Sequence, residues 1–172
     1  MTPKNTSRLC MIALCVAVIS ILAQFSIPLP FGVPLTLQNF GIILTAILLG
    51  KKDGTIAVCV YLILGVTGLP VFSNFRSGIH VFFSPTGGYL IGYPIMSYLI
   101  GYGSDQNKKK FFFLGYLLDY LLGLLMFCYL TSSTITTGLF ICVIPFLPTD
   151  ILKALLAYTT AHQIKKRLQS FL

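Results

Sequence analysis

The chain has 172 residues, of which 56% are hydrophobic and only 9% charged, with a mean hydropathy of +0.88, whereas a soluble domain carries roughly 25% charged residues. That balance excludes a soluble globular protein and defines an integral membrane protein. The formal net charge of +8 does not point to nucleic acid, because the basic residues fall in short groups between apolar segments, with no basic face interleaved with aromatics.

A bilayer core of about 30 Å takes roughly 20 apolar residues per helix, fewer where neighbours shield it. On that ruler six transmembrane helices are predicted, over residues 8–25, 35–50, 54–68, 86–102, 111–130 and 135–163. The first has a basic lead-in like that of a secretory signal peptide, but no A-x-A-like site follows it and five further spans do, so it is read as helix one. "SIPLPFGVP", "KKDG" and "SDQNKKK" supply turn chemistry after spans one, two and four. The spans follow one another too closely to leave room for a soluble domain. The expectation is therefore one all-α, polytopic membrane domain over residues 1–172.

Basic loops stay on the cytoplasmic side. If six helices alternate, Lys4, Arg8, Lys51, Lys52, Lys108, Lys109, Lys110, Lys165, Lys166 and Arg167 share one side, Arg76 alone sits in a loop on the other, and Lys153 lies within a span. Both termini are thus expected in the cytoplasm, in a multi-pass protein of the cytoplasmic membrane. An odd number of spans would scramble this separation.

The last span contains "FLPTDILKALLAY", which puts Asp150 and Lys153 inside an apolar run. Asp150 is 15 residues before Lys165, about 22 Å along a helix, which places the pair in the outer half of the bilayer. Pro145 and Pro148 just before it are expected to break the span and start a fresh helical segment. An Asp and a Lys at i and i+3 share a helix face and offset each other's cost in lipid. They read either as a structural ion pair or as part of a ligand site.

Other polar residues fall at the same level. Thr36, Gln38 and Asn39 open span two, Thr86 and Tyr89 open span four, and the loop between carries Asn74 and Arg76. Each alone has an ordinary role as a cap, a solvated loop cation or an interfacial aromatic. Their shared depth suggests a pocket for a small ligand with apolar and hydrogen-bonding parts, entering from outside.

The remaining candidates are weaker. Asp119 is an acid at membrane depth with no partner in its own segment, and is not assigned to the site. Gly88 and Gly92 form a GxxxG suited to close helix packing, and Ala13 and Ala17 a small-xxx-small stripe on helix one that either packs internally or offers a flat surface to a partner helix. The five cysteines are odd in number, lack CxxC spacing and lie in apolar runs, so they read as small buried hydrophobes rather than disulfides. His80 and His162 lack ligand spacing, so no metal site and no cofactor are expected. No G-x-x-x-x-G-K-[ST] occurs, which rules out a P-loop ATPase within this chain, and there is no nucleophile elbow or HExxH to suggest an enzyme.

"PLTLQNFGIILTAILLGKKDGTIAVCVYLILGVTGLPVF", "SPTGGYLIGY" and "TDILKALLA" together resemble the BioY family, the biotin-binding S components of energy-coupling factor (ECF) vitamin transporters. The resemblance covers nearly the whole chain in order and spacing. It implies six transmembrane helices, a biotin pocket near the outer face, and an AxxxA motif in helix one that contacts a transmembrane coupling protein, here Ala13 and Ala17. It also implies that Asp150 and Lys153 contact the ring system of biotin, whose ureido group offers two N–H donors to a carboxylate and one carbonyl to an ammonium. Arg76, Gln38 and Tyr89 are the candidates for the valerate carboxylate. Thr149 stands where the family commonly has Gly before the Asp, and the "SNFRSG" loop is less glycine-rich than usual.

The function expected from this resemblance is biotin uptake, energised by a separate coupling protein and two ATPase subunits. The alternatives are a solitary biotin facilitator, and a small membrane enzyme or structural subunit built on Asp119, Asp150 and the histidines.

Overall fold

The computed structural model describes residues 3–29 and 32–171. Pro30 and Phe31 of the first linker, and the side chain of Lys4, lie outside the described residues. The chain is helical almost throughout, as its apolar runs require when no water is available to satisfy an open backbone. Helix α1 spans Pro3–Gln24. Its buried residues Ile12, Cys15, Val16 and Ile19 follow the i, i+3, i+4, i+7 spacing of one face, while Leu14 and Ile21 point away and are exposed.

The linker after α1 contains a short ribbon that the all-α expectation did not include. Strand β1 (Ser26–Ile27) pairs antiparallel with β2 (Leu35–Thr36), in the register Ser26 to Thr36 and Ile27 to Leu35. The pairing satisfies backbone groups at a helix end and directs the chain back into the bundle.

Helix α2, Gln38–Val66, contains two predicted spans and breaks at Gly50, whose φ of 75° and ψ of −176° are non-helical. The break is a reversal. A Cβ on Gly54 would lie 2.9 Å from Cα of Ala46, and Gln38 Nε2 donates to Tyr61 Oη at 3.0 Å, although 23 residues of straight helix would part them by about 35 Å. The two halves are therefore antiparallel and count as separate crossings. Each is shorter than the roughly 20 residues of a full span, and each lies in a helix that packs on α1, α3 and α6.

Helix α3 (Gly87–Asp105) lies between α2 and α4 (Lys110–Thr131). Gly88 and Gly92 lie where α3 meets α4: a side chain at Gly88 would collide with the backbone at Leu122, and one at Gly92 with Asp119. The last predicted span is α5 (Ile135–Cys142) followed by α6 (Leu147–Phe171), bent by 47° at the expected break. Taken singly, residues Asn5–Gln24 and Lys110–Thr131 are long and apolar enough to cross a membrane, and α5 with α6 makes a third crossing if counted together.

Two acids that the sequence reading left aside tie one end of the bundle together. Arg8 makes a two-pronged bond to Asp53, Nε to Oδ2 at 2.7 Å and a second nitrogen to Oδ1 at 2.5 Å, joining α1 to the reversal in α2. That hydrogen bond holds the Asp53 carboxyl below its ordinary pKa. Asp105, at the end of α3, accepts from Lys51 N at 3.1 Å.

Candidate functional site

At the opposite end of the bundle, α2, α3, α4, α6 and the loop after α2 surround a cavity with about 550 Å³ of empty space, counted out to its mouth. Helix α6 supplies the charged wall. Asp150 N bonds to Phe146 O at 2.8 Å in the first turn, where a carboxylate is favoured by the helix dipole. One turn on, Lys153 Nζ donates to Asp150 Oδ1 at 2.8 Å, and both residues are buried, at 7% and 4% exposure.

Asp150 has further partners that anchor it. Tyr120 Oη donates to Oδ2 at 2.6 Å, Asn39 Nδ2 approaches the same oxygen at 3.4 Å, and Tyr116 Oη donates to the Asp150 backbone carbonyl at 3.2 Å. Tyr116 and Tyr120 are one turn apart on α4 and stack with centroids 6.1 Å apart. A buried carboxylate with an ammonium and a phenol on it is far less costly than an isolated charge. It also forms a fixed hydrogen-bonding surface.

The other walls are the expected polar residues in an apolar frame. Gln38 is buried, lines the cavity, and is oriented by Tyr61, whose hydroxyl donates on to Val71 O at 3.0 Å. Arg76 reaches in from the loop, donating to Ser73 O at 3.3 Å and to Thr86 Oγ1 at 3.3 Å. Burial lowers the pKa of its guanidinium, yet arginine stays charged. Tyr89 lines the cavity with its ring, while its hydroxyl donates to Cys142 O at 2.7 Å and so caps the end of α5.

The loop that carries Arg76 is pinned by a residue the sequence reading overlooked. Gln24, at the end of α1, donates to the carbonyls of Val71 and Phe72 at 3.2 Å and accepts from Phe75 N at 2.9 Å. Phe72 anchors the same loop by packing on the bare backbone of Gly65 and edge-on to Tyr61, with centroids 5.7 Å apart.

Five of the six expected site residues, Gln38, Arg76, Tyr89, Asp150 and Lys153, line this one cavity. Asn74 does not. It adopts a left-handed conformation at φ 59° and ψ 36°, is exposed, and accepts from Ser26 Oγ at 2.7 Å, so its side chain is taken up on the ribbon side of the loop. Tyr120 also lines the cavity, Tyr116 bonds to the backbone of Asp150 beside it, and neither was foreseen. Their only signal was the i, i+4 spacing beside Asp119. Asp119 itself is 1% exposed against Gly92, with Oδ1 lacking a hydrogen-bond partner. Ala13 and Ala17 are exposed one turn apart on the outer face of α1.

A bundle of six crossings, tied at one end by the Arg8–Asp53 salt bridge and open at the other into a charged, tyrosine-lined cavity, defines a membrane-embedded small-molecule binding protein. The same fold occurs in a protein solved as the S-component for biotin from an ECF-type ABC transporter, with a TM-score of 0.87, 30% identity, and coverage of 96% of this chain and 95% of that one. Residues 1–170 match the BioY family, and the chain belongs to it. Its relatives include a probable biotin transporter BioY of Pyrococcus horikoshii, 38% identical over 92% of this chain and 94% of that protein. The biotin transporter BioY of Thermotoga maritima is 37% identical over 87% and 90%.

Proposed function

We propose that this protein captures biotin from outside the cell as the substrate-binding subunit of an ECF-type transporter in the cytoplasmic membrane. The observation that carries the reading is the buried Asp150–Lys153 pair at 2.8 Å, with Tyr120 on the second carboxylate oxygen. Carboxylate and ammonium present an acceptor and a donor side by side, the complement of a cyclic urea with N–H groups and a carbonyl. Phe72, Val81, Leu90 and Phe146 give the cavity apolar surface for the thioether ring and valeryl chain. Arg76, at the loop side, is the cation for the valerate carboxylate, with Gln38 and the Tyr89 ring beside it.

The protein is a transporter subunit rather than an enzyme. It has no phosphate-binding loop, so uphill transport takes its energy from a separate transmembrane coupling protein and ATPase subunits. Ala13 and Ala17, small and exposed on α1, give a coupling helix a flat surface on which to pack closely. With both termini cytoplasmic, the cavity opens outward and the salt-bridged end faces the cytoplasm.

Isothermal titration of the detergent-purified protein with biotin tests the reading. Tight binding is expected in the parent, and Asp150→Asn is expected to weaken it by about 1.5–3 kcal/mol, the worth of a hydrogen bond to a charged group, or roughly 10- to 150-fold. Unchanged affinity in a variant that melts earlier would show the pair to be only structural. Absence of tight binding in the parent would sink the proposal.

A further inference from the structure

Beside the cavity, α4 and α6 diverge and leave a groove of about 1640 Å³ of open space. Its walls are apolar, with Phe113, Leu117 and Leu121 from α4 facing Ile151, Ala154 and Leu155 from α6. Its polar lining is sparse. Lys109 stands at one end, next to Lys108 and Lys110, all three exposed. Tyr116, Tyr120 and Asp150 lie partway along it, Tyr158 lines the α6 wall, and Leu124, Leu139, Val143 and Leu147 continue the slot beyond them. Near the lysine end, Phe112 and Tyr158 meet edge-to-face with centroids 6.1 Å apart and join the two helices.

The dimensions and charge select an occupant. From Lys109 to Tyr120 is 11 residues of chain, about 16 Å of helix rise, and half of the roughly 30 Å hydrocarbon core is the depth of one leaflet. A packing helix would not need an ammonium cluster at the groove's end, and a free anion would leave the apolar slot unfilled. Clusters of lysine next to a membrane helix attract anionic headgroups.

We propose that the groove between α4 and α6 holds an anionic phospholipid, with its phosphate at the lysines of residues 108–110 and one acyl chain lying along the slot to Tyr116 and Tyr120. The chain end then packs behind the tyrosines that hold Asp150, so the lipid supports the charged wall of the cavity from its membrane side. The site does not depend on which molecule the cavity takes.

The sequence contains no tryptophan, so Leu155→Trp, at a residue 60% exposed on the α6 wall, gives the groove a single fluorophore. Leu14→Trp on the exposed face of α1 is the reporter elsewhere. Each is placed in phosphatidylcholine nanodiscs containing a minor fraction of either brominated phosphatidylglycerol or brominated phosphatidylcholine, and quenching is compared. A several-fold preference for phosphatidylglycerol is expected at the Leu155→Trp reporter and none at Leu14→Trp. Lys109→Gln is expected to cut that preference about fivefold, the effect of one lysine on an anionic headgroup. Should Leu155→Trp melt early, Phe113→Trp on the opposite wall serves instead. Equal quenching by both lipids, a preference that survives neutralising all three lysines, or no quenching by either lipid because protein covers the groove, would each overturn the proposal.

Discussion

Two tyrosines lining the cavity use their hydroxyls differently, and that difference predicts separable effects. Tyr120 Oη donates to the Asp150 carboxylate at 2.6 Å, whereas Tyr89 Oη donates to the Cys142 carbonyl at 2.7 Å. Tyr120→Phe removes a charge-assisted bond that orients the carboxylate, and biotin affinity is expected to fall by about 1–2 kcal/mol, roughly 5- to 30-fold. Tyr89→Phe leaves the ring in the cavity wall but frees a buried carbonyl, so it is expected to cost about 1 kcal/mol of stability with little change in affinity. Titration and thermal unfolding of both variants check this, and the reverse pattern would exchange the two roles. The Asp150–Lys153 pair was legible because charge within an apolar run is conspicuous and i, i+3 spacing fixes a shared face. Tyr120 was not, because a tyrosine in a membrane helix is unremarkable until a second helix brings an acid to it. Asn74 illustrates the converse: depth counting placed it at the right level, but a left-handed backbone at φ 59° turned it towards Ser26.

The elements were easier to read than their joints. The ends of the hydrophobic runs located the reversal in α2 and the break before α6, because glycine and proline act through their own backbone geometry; the reversal falls at Gly50, and "KKDG", read as turn chemistry, is itself helical. The β1–β2 ribbon and the Gln24 clamp depend on groups distant in sequence, for which no local pattern exists. At the α2 reversal the structure makes a quantitative demand. Gly50 occupies a region of φ and ψ that is essentially restricted to glycine, and a Cβ there would stand 2.8 Å from Asp105 Oδ1. Gly50→Ala is therefore expected to lower stability by about 1–3 kcal/mol through backbone strain and to disturb the Asp105–Lys51 contact as well. Gly68, at φ +105° but with nothing within 4 Å of a built Cβ, provides the comparison: Gly68→Ala meets the strain without the collision and is expected to melt later than Gly50→Ala. Thermal unfolding in one detergent orders the two, and equal melting would remove the steric part of the argument.

For the molecule as a whole, the separation of charge seen along the sequence persists in three dimensions. The Arg8–Asp53 bridge, the contact of Lys51 with Asp105, and Lys51 Nζ 5.1 Å above the Tyr102 ring bring the start of α1, the reversal in α2 and the end of α3 to one pole. Lys108, Lys109 and Lys110 follow directly at the turn into α4. Arg76 lies at the other pole, bonded to Ser73 and Thr86 beside the cavity. Asp53 and Asp105 soften the charge of the basic pole but do not reverse its sign, and acids count little in setting orientation. Positively charged segments resist translocation, so the basic pole is predicted to lie on the cytoplasmic side with the cavity facing outward. An even number of crossings then requires the two ends of the chain to share a side. Fusing a reporter that matures only in the cytoplasm to either end is expected to give signal in both cases, and a reporter active only after export is expected to give none. A reporter of the second kind inserted in the exposed stretch around Ile79, which lies between α2 and α3, is expected to be active. Export of either terminus would invert the cavity and with it the direction from which a ligand enters.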